Sequence, residues 1–141
     1  ISQAEIINAN ITVDYTLLNL FRFNGKIQYR YGQSESIALP QIQPFSYGLS
    51  VNYTKNTFSA ETSLEGAAMQ KRFGATFGET TTPSYYLLNA SISKQFQISK
   101  QNILIKSGVE NIFDKNYRTF ADLNNIPRMG RNYFINLVYK F

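Results

Sequence analysis

The 141-residue sequence contains no cysteine, no histidine and no tryptophan. Without Cys there is no disulfide and no thiolate metal site, and without Cys or His neither a Ser-His-Asp triad nor a Cys-His dyad can be built. Chemistry by carboxylates alone stays formally open. Proline numbers only four and glycine eight, too few for a low-complexity or disordered chain. No stretch approaches the roughly 20 consecutive apolar residues that a membrane-spanning helix requires. A helical membrane protein is therefore excluded. Lys and Arg exceed Asp and Glu by 14 to 9, a net charge of +5, but the cations are scattered singly rather than clustered. That pattern implies solvated or lumen-facing charge, with no nucleic-acid partner. No signal peptide or lipidation motif follows Ile1, which fits a mature or an internal start.

What is abundant is aromatic and β-forming: 11 Phe and 10 Tyr, arranged in runs of period two. From Ile7 to Leu17, Ile7, Ala9, Ile11, Val13, Tyr15 and Leu17 alternate without error with Asn8, Asn10, Thr12, Asp14 and Thr16. A second run sets Phe23, Gly25, Ile27, Tyr29 and Tyr31 against Asn24, Lys26, Gln28 and Arg30. The third sets Tyr47, Leu49, Val51 and Tyr53 against Ser46, Gly48, Ser50 and Asn52, and the fourth Phe58, Ala60, Thr62 and Leu64 against Ser59, Glu61, Ser63 and Glu65. The fifth carries Tyr86, Leu88, Ala90, Ile92, Phe96 and Ile98 on one face, broken only by Lys94, which can snorkel to an interface. In the sixth, Ile103, Ile105 and Val109 oppose Lys106 and Glu110, with Leu104 a misfit. The last eleven residues bring Tyr133, Ile135, Leu137, Tyr139 and Phe141 onto one face, with Phe134 and Val138 as exceptions on the other.

Seven strands of this kind, each with aromatics near the ends of an apolar face, match a transmembrane β-barrel. A water-soluble meander would need a layer to cover that face, and no helical pattern supplies one. The connections support the same reading. Links at 19–21, 54–57 and 99–102 are tight, whereas 32–44, 71–84 and 115–130 are long, the asymmetry of barrels with short periplasmic turns and long extracellular loops. The three long connections are expected outside the cell.

Several stretches resemble a known family. Gly108-Val109-Glu110-Asn111-Ile112-Phe113-Asp114-Lys115-Asn116-Tyr117, followed by Ile126, Pro127, Gly130, Arg131, Asn132, Tyr133 and Phe141, resembles the carboxy-terminal signature of TonB-dependent outer-membrane receptors. Leu39 to Pro44 is similar to that family's L-P-x-I-P-P loop, and Pro83 to Asn89 to its T-P-x-Y-x-L-x-D segment. Gln43, Asn89 and Met129 depart from the pattern. Apart from any family, Asn111 and Asp114 suit a strand-closing turn, Pro127 stops ladder pairing, and Gly130 is expected to permit a bend into the last strand.

The resemblance implies an all-β fold, an antiparallel transmembrane β-barrel segment of about seven strands from a barrel of about 22, with an amino-terminal plug domain and the earlier strands lying upstream of residues 1–141. An odd strand count points the same way, because single-chain bacterial barrels have even numbers. It implies a receptor in the outer membrane of a Gram-negative cell for energy-coupled uptake of a scarce nutrient: a ferric siderophore, cobalamin, haem or a glycan. The alternative is a passive porin or a small structural barrel. No catalysis, resident cofactor or metal is expected. Expected partners are outer-membrane lipid, the rest of the barrel, the TonB energy-coupling complex acting through the plug, and the barrel-assembly machinery, for which Tyr133, Ile135, Leu137, Tyr139 and Phe141 form the signal. Among loop residues, Arg72, Tyr117, Arg118 and Phe120 suit a polar or aromatic ligand.

Overall fold

The computed structural model describes residues 3–98, 101–122 and 125–140. Its strands are β1 (Ala4–Leu17), β2 (Phe21–Ser34), β3 (Ile37–Ala38), β4 (Ser46–Lys55), β5 (Phe58–Ala67), β6 (Tyr85–Ile98), β7 (Gln101–Glu110) and β8 (Asn132–Lys140). They form one antiparallel sheet in the order β1-β2-β4-β5-β6-β7-β8, with the two-residue β3 beside the end of β2. The seven expected strands are all present. The eighth, β3, falls inside the connection read as an irregular loop, because Glu35 and Ser36 take left-handed φ values of 49° and 70° and fold the chain back on β2.

β1 begins at Ala4, earlier than its alternation marks. Ile6, apolar on the polar side, hides the period there, yet its partner Gly32 keeps the ladder in register because backbone hydrogen bonding is indifferent to which side chain is polar. At the other end, Leu18 and Asn19 hold φ values of 52° and 53°, and Asn56 one of 54°. Left-handed residues of this kind turn a hairpin tightly with the twist of its strands, and Asn tolerates them.

Register carries the apolar stripe from strand to strand without a slip. Ile27 pairs with Tyr47, Tyr47 with Gly66 and Gly66 with Tyr86. Farther along, Ala60 pairs with Ile92, Ile92 with Ser107 and Ser107 with Ile135. A one-residue slip anywhere would have moved a stripe to the other face. Three apolar residues of β7 and β8 on the polar face, Leu104, Phe134 and Val138, are accommodated there together. Leu104 stands opposite Val138, so the two cover each other. Phe134 lies over Gly108, where a Cβ would come within 2.7 Å of the ring and 2.6 Å of the Ala90 carbonyl oxygen.

A single-layer sheet buries little by itself. Among the described residues the only buried apolar side chains are Ala67 and Leu87, while Ile11 and Leu137 are 61% and 66% exposed. Such a face must be covered by lipid or protein.

Candidate functional site

The long connections β2–β4, β5–β6 and β7–β8 all leave the sheet at one rim, as their parity requires, and there they clasp one another. In the β5–β6 connection, Gln70 and Thr82 form a bridge, with the Gln70 N–H donating to the Thr82 carbonyl at 2.9 Å. Gln70 and Thr82 are both buried. A single 3-10 turn, Ala75–Phe77, ends at Gly78, whose φ of 78° is open to glycine at little cost.

Glu79 joins the first two connections. Its carboxylate accepts the backbone N–H of Gln41 at 2.6 Å and that of Gly74 at 2.7 Å. The Gln70 side-chain amide adds a bond to the Ile42 carbonyl at 3.1 Å. The second and third connections are joined by Arg118, which donates to the Thr81 carbonyl at 2.6 Å, and by Thr80, whose hydroxyl donates to the Asn125 side-chain oxygen at 2.9 Å.

The third connection is built from its acidic and amide side chains. Asn111, with φ 50° and 3% exposure, accepts the Lys115 N–H at 2.9 Å and donates to the Lys115 carbonyl at 2.9 Å. Asn111 N–H in turn donates to Asn89 Oδ1 at 2.8 Å, while the Asn89 amide nitrogen lies 3.4 Å from Glu65 Oε1. An amide satisfies both neighbours. An aspartate at position 89 would set a second carboxylate beside Glu65, a physical reason for this departure from the family pattern. Farther on, Arg128 grips Asp122 through two nitrogens, Nε to Oδ2 at 2.9 Å and Nη2 to Oδ1 at 2.8 Å. These bonds, with those from Thr119, hold the Asp122 carboxyl down at about 2. Burial pushes the Tyr117 phenol up.

Gly130 corrects one expectation. It has no left-handed φ, so no bend depends on its freedom. Space does: a Cβ there would fall 2.6 Å from Asp114 Oδ1, the oxygen that accepts the Arg131 N–H at 2.8 Å.

The structure disperses the four loop candidates. The Arg72 guanidinium lies 4.2 Å from the centroid of Tyr31, beside a hollow of about 230 Å³ between the first two connections. Tyr117, its ring tilted against that of Tyr85 with centroids 4.9 Å apart, and Arg118 line a second hollow of about 170 Å³ with Pro83 and Pro127. Phe120 is half-buried and lines neither hollow. Glu79 and Gln70 were not legible as rim-building residues, since each acts on backbone brought close only by folding, and the Asp122–Arg128 pair, six residues apart in an irregular connection, has no periodic spacing to mark it. Tyr133, Ile135, Leu137 and Tyr139 are exposed along the apolar face of β8, an edge strand of this sheet. Phe141 lies outside the described residues. Among the described residues no group of three or more acidic side chains is placed to hold a metal.

Sheet, two-sided patterning and single loop-bearing rim together define a segment of an antiparallel β-barrel wall. The copper transporter OprC, a solved structure, carries the same fold, with a TM-score of 0.81 and 19% sequence identity over 95% of this chain. The chain spans 23% of that transporter's length. No family model and no curated protein matches the sequence.

Proposed function

We propose that residues 1–141 are the carboxy-terminal part of the β-barrel of a TonB-dependent outer-membrane receptor, a transport protein and not an enzyme. The observation that carries this reading is the unbroken register of one apolar face across seven strands, with every long connection at the same rim. A bilayer covers such a face directly, and the aromatic residues near its edges suit the interfaces. The likeness to a copper transporter supports the transport class. The whole receptor would catch a scarce nutrient, such as a ferric siderophore, cobalamin, haem or glycan, at the extracellular rim. A plug upstream of this segment, pulled by the TonB complex, would release it inward. The assembly machinery would pair with the edge of the last strand, selecting it through Tyr133, Ile135, Leu137, Tyr139 and Phe141.

Planar-bilayer recording of the full-length protein separates this reading from a passive porin. A plugged receptor gives no steady conductance until denaturant loosens the plug, whereas stable open-channel steps from the untreated protein would establish the porin instead.

A further inference from the structure

A hollow of about 960 Å³ interrupts the apolar face of the sheet. Its floor is made of small residues, Ala60 and Thr62 of β5, Ala90 of β6 and Ser107 of β7, and Tyr53 of β4 and Tyr133 of β8 stand at opposite walls. Tyr53 is braced by the rings of Phe21 at 5.0 Å and Phe58 at 6.4 Å. The Thr62 hydroxyl donates to the Asn89 carbonyl at 3.2 Å, so it brings no free donor into the hollow. The Ser107 hydroxyl, by contrast, makes no hydrogen bond among the described residues.

Two cations stand where the hollow runs toward the short turns. One step of period two beyond Tyr53, Ala60 and Ile92 lie Lys55, Phe58 and Lys94, which places all three on the apolar face. Register sets them level, Lys55 opposite Phe58 and Phe58 opposite Lys94. Both lysines are exposed, and neither enters an ion pair among the described residues. No acid shares their surface, because the acidic residues of β4 to β8, Glu61, Glu65 and Glu110, all lie on the polar face. Cations on a face covered by hydrocarbon are costly unless their heads reach a counter-charge at the membrane surface. Ser107 is placed between these charges and the hollow: Lys94 pairs with Ile105, two residues before it on β7.

We propose that this surface seats an anionic phospholipid of the periplasmic leaflet. Its phosphate lies between Lys55 and Lys94, a glycerol ester carbonyl accepts the Ser107 hydroxyl, and one acyl chain fills the hollow. With two cations and no carboxylate, the site favours a headgroup of net negative charge such as phosphoglycerol, since the ammonium of phosphoethanolamine finds no partner there. The seat rests on reading the apolar face as lipid-covered and the short turns as periplasmic.

Native mass spectrometry of the detergent-solubilised full-length protein tests it with phosphatidylglycerol and phosphatidylethanolamine of identical chains. Phosphatidylglycerol should be held about tenfold more tightly. Removing both cations, Lys55→Gln with Lys94→Gln, should bring it to the level of phosphatidylethanolamine, whereas Lys26→Gln on the polar face should change nothing. Ala90→Leu, which fills the hollow, should weaken both lipids alike, and Ser107→Ala should weaken both by about threefold. Equal retention of the two lipids, a preference that survives the loss of Lys55 and Lys94, or one abolished as well by Lys26→Gln overturns the proposal. So does an Ala90→Leu or Ser107→Ala variant that binds as the native protein does. A nitroxide attached through Leu137→Cys, outside the hollow, separates this failure from that of the underlying reading. A label in lipid vesicles that meets a water-soluble relaxant rather than dissolved oxygen sinks the lipid-covered face and the seat together; a lipid-exposed label beside equal retention of the two lipids sinks the seat alone.

Discussion

Asp114 occupies the space that a side chain at residue 130 would need, its Oδ1 lying 2.6 Å from the position of a Cβ on Gly130. The same oxygen accepts the Arg131 N–H at 2.8 Å, so the contact fixes where the chain turns into β8. Gly130→Ala forces the carboxylate away and leaves that N–H without its partner. We expect a loss of about 0.5–1.5 kcal/mol, read from the urea midpoint of the refolded full-length barrel. In the Gly130→Ala/Asp114→Ala pair the clash is gone, so the double variant should lose less than the sum of the single changes. Strict additivity would mean that the two residues do not meet.

Charge placed on the two faces should have unequal consequences. Leu137 and Ile92 lie on the apolar face, and their sequence neighbours Asn136 and Ser91 on the polar one. Leu137→Arg or Ile92→Arg should cost roughly 2–4 kcal/mol near the bilayer midplane, and Asn136→Arg or Ser91→Arg much less. Refolding into lipid vesicles measures the contrast. Equal losses would show that lipid does not cover the apolar face.

Orientation is read by labelling. Ser36 and Thr80 are exposed in the first and second long connections, and Asn56 is exposed in the β4–β5 turn at the opposite end. Single cysteines at Ser36 and Thr80 should react with an impermeant thiol reagent on intact cells, and one at Asn56 only after the outer membrane is permeabilised. The reverse pattern would invert the topology.

The Asp122–Arg128 clasp should give the third connection an acid limit. The Asp122 carboxyl is depressed from 3.8 to about 2, chiefly by its bonds to Arg128. Its stabilisation is therefore complete above the unfolded value and is lost as pH falls through the folded one. Resistance of this connection to an acid-active protease should decline between pH 4 and pH 2 in the native protein. Asp122→Asn should show weaker protection and a flat profile over that window. A native profile as flat as the variant's would mean that the clasp does not hold the loop.

Much of the wall was legible in the sequence, because side-chain alternation is a property of the strand itself. The faces of Ile7 to Leu17 and of Tyr47 to Tyr53 follow from period two alone. Rim contacts were less visible. Arg72, Tyr117 and Arg118 stand out in a sequence as large polar or aromatic loop residues, but what each touches lies in another segment of the chain: Tyr31 of β2 for Arg72, Tyr85 of β6 for Tyr117 and Thr81 of the β5–β6 connection for Arg118. Glu79 carries no sequence signal for its part, since its partners are the main-chain N–H groups of Gln41 and Gly74.

The sequence by itself determined the strand period, the alternation of short and long connections and the side of the sheet on which nearly every residue lies, all of which arise from local backbone geometry. Only the tertiary structure decided which residues stand level across the ladder. The pairing of Leu104 with Val138, the cover of Gly108 by Phe134, and the placing of Lys26 and Glu65 on either side of Gly48 are matters of register. Register is set by the turns and by hydrogen bonds between segments distant in the chain. A shift of two residues keeps every side chain on its face while changing all of its neighbours, so alternation alone is blind to it.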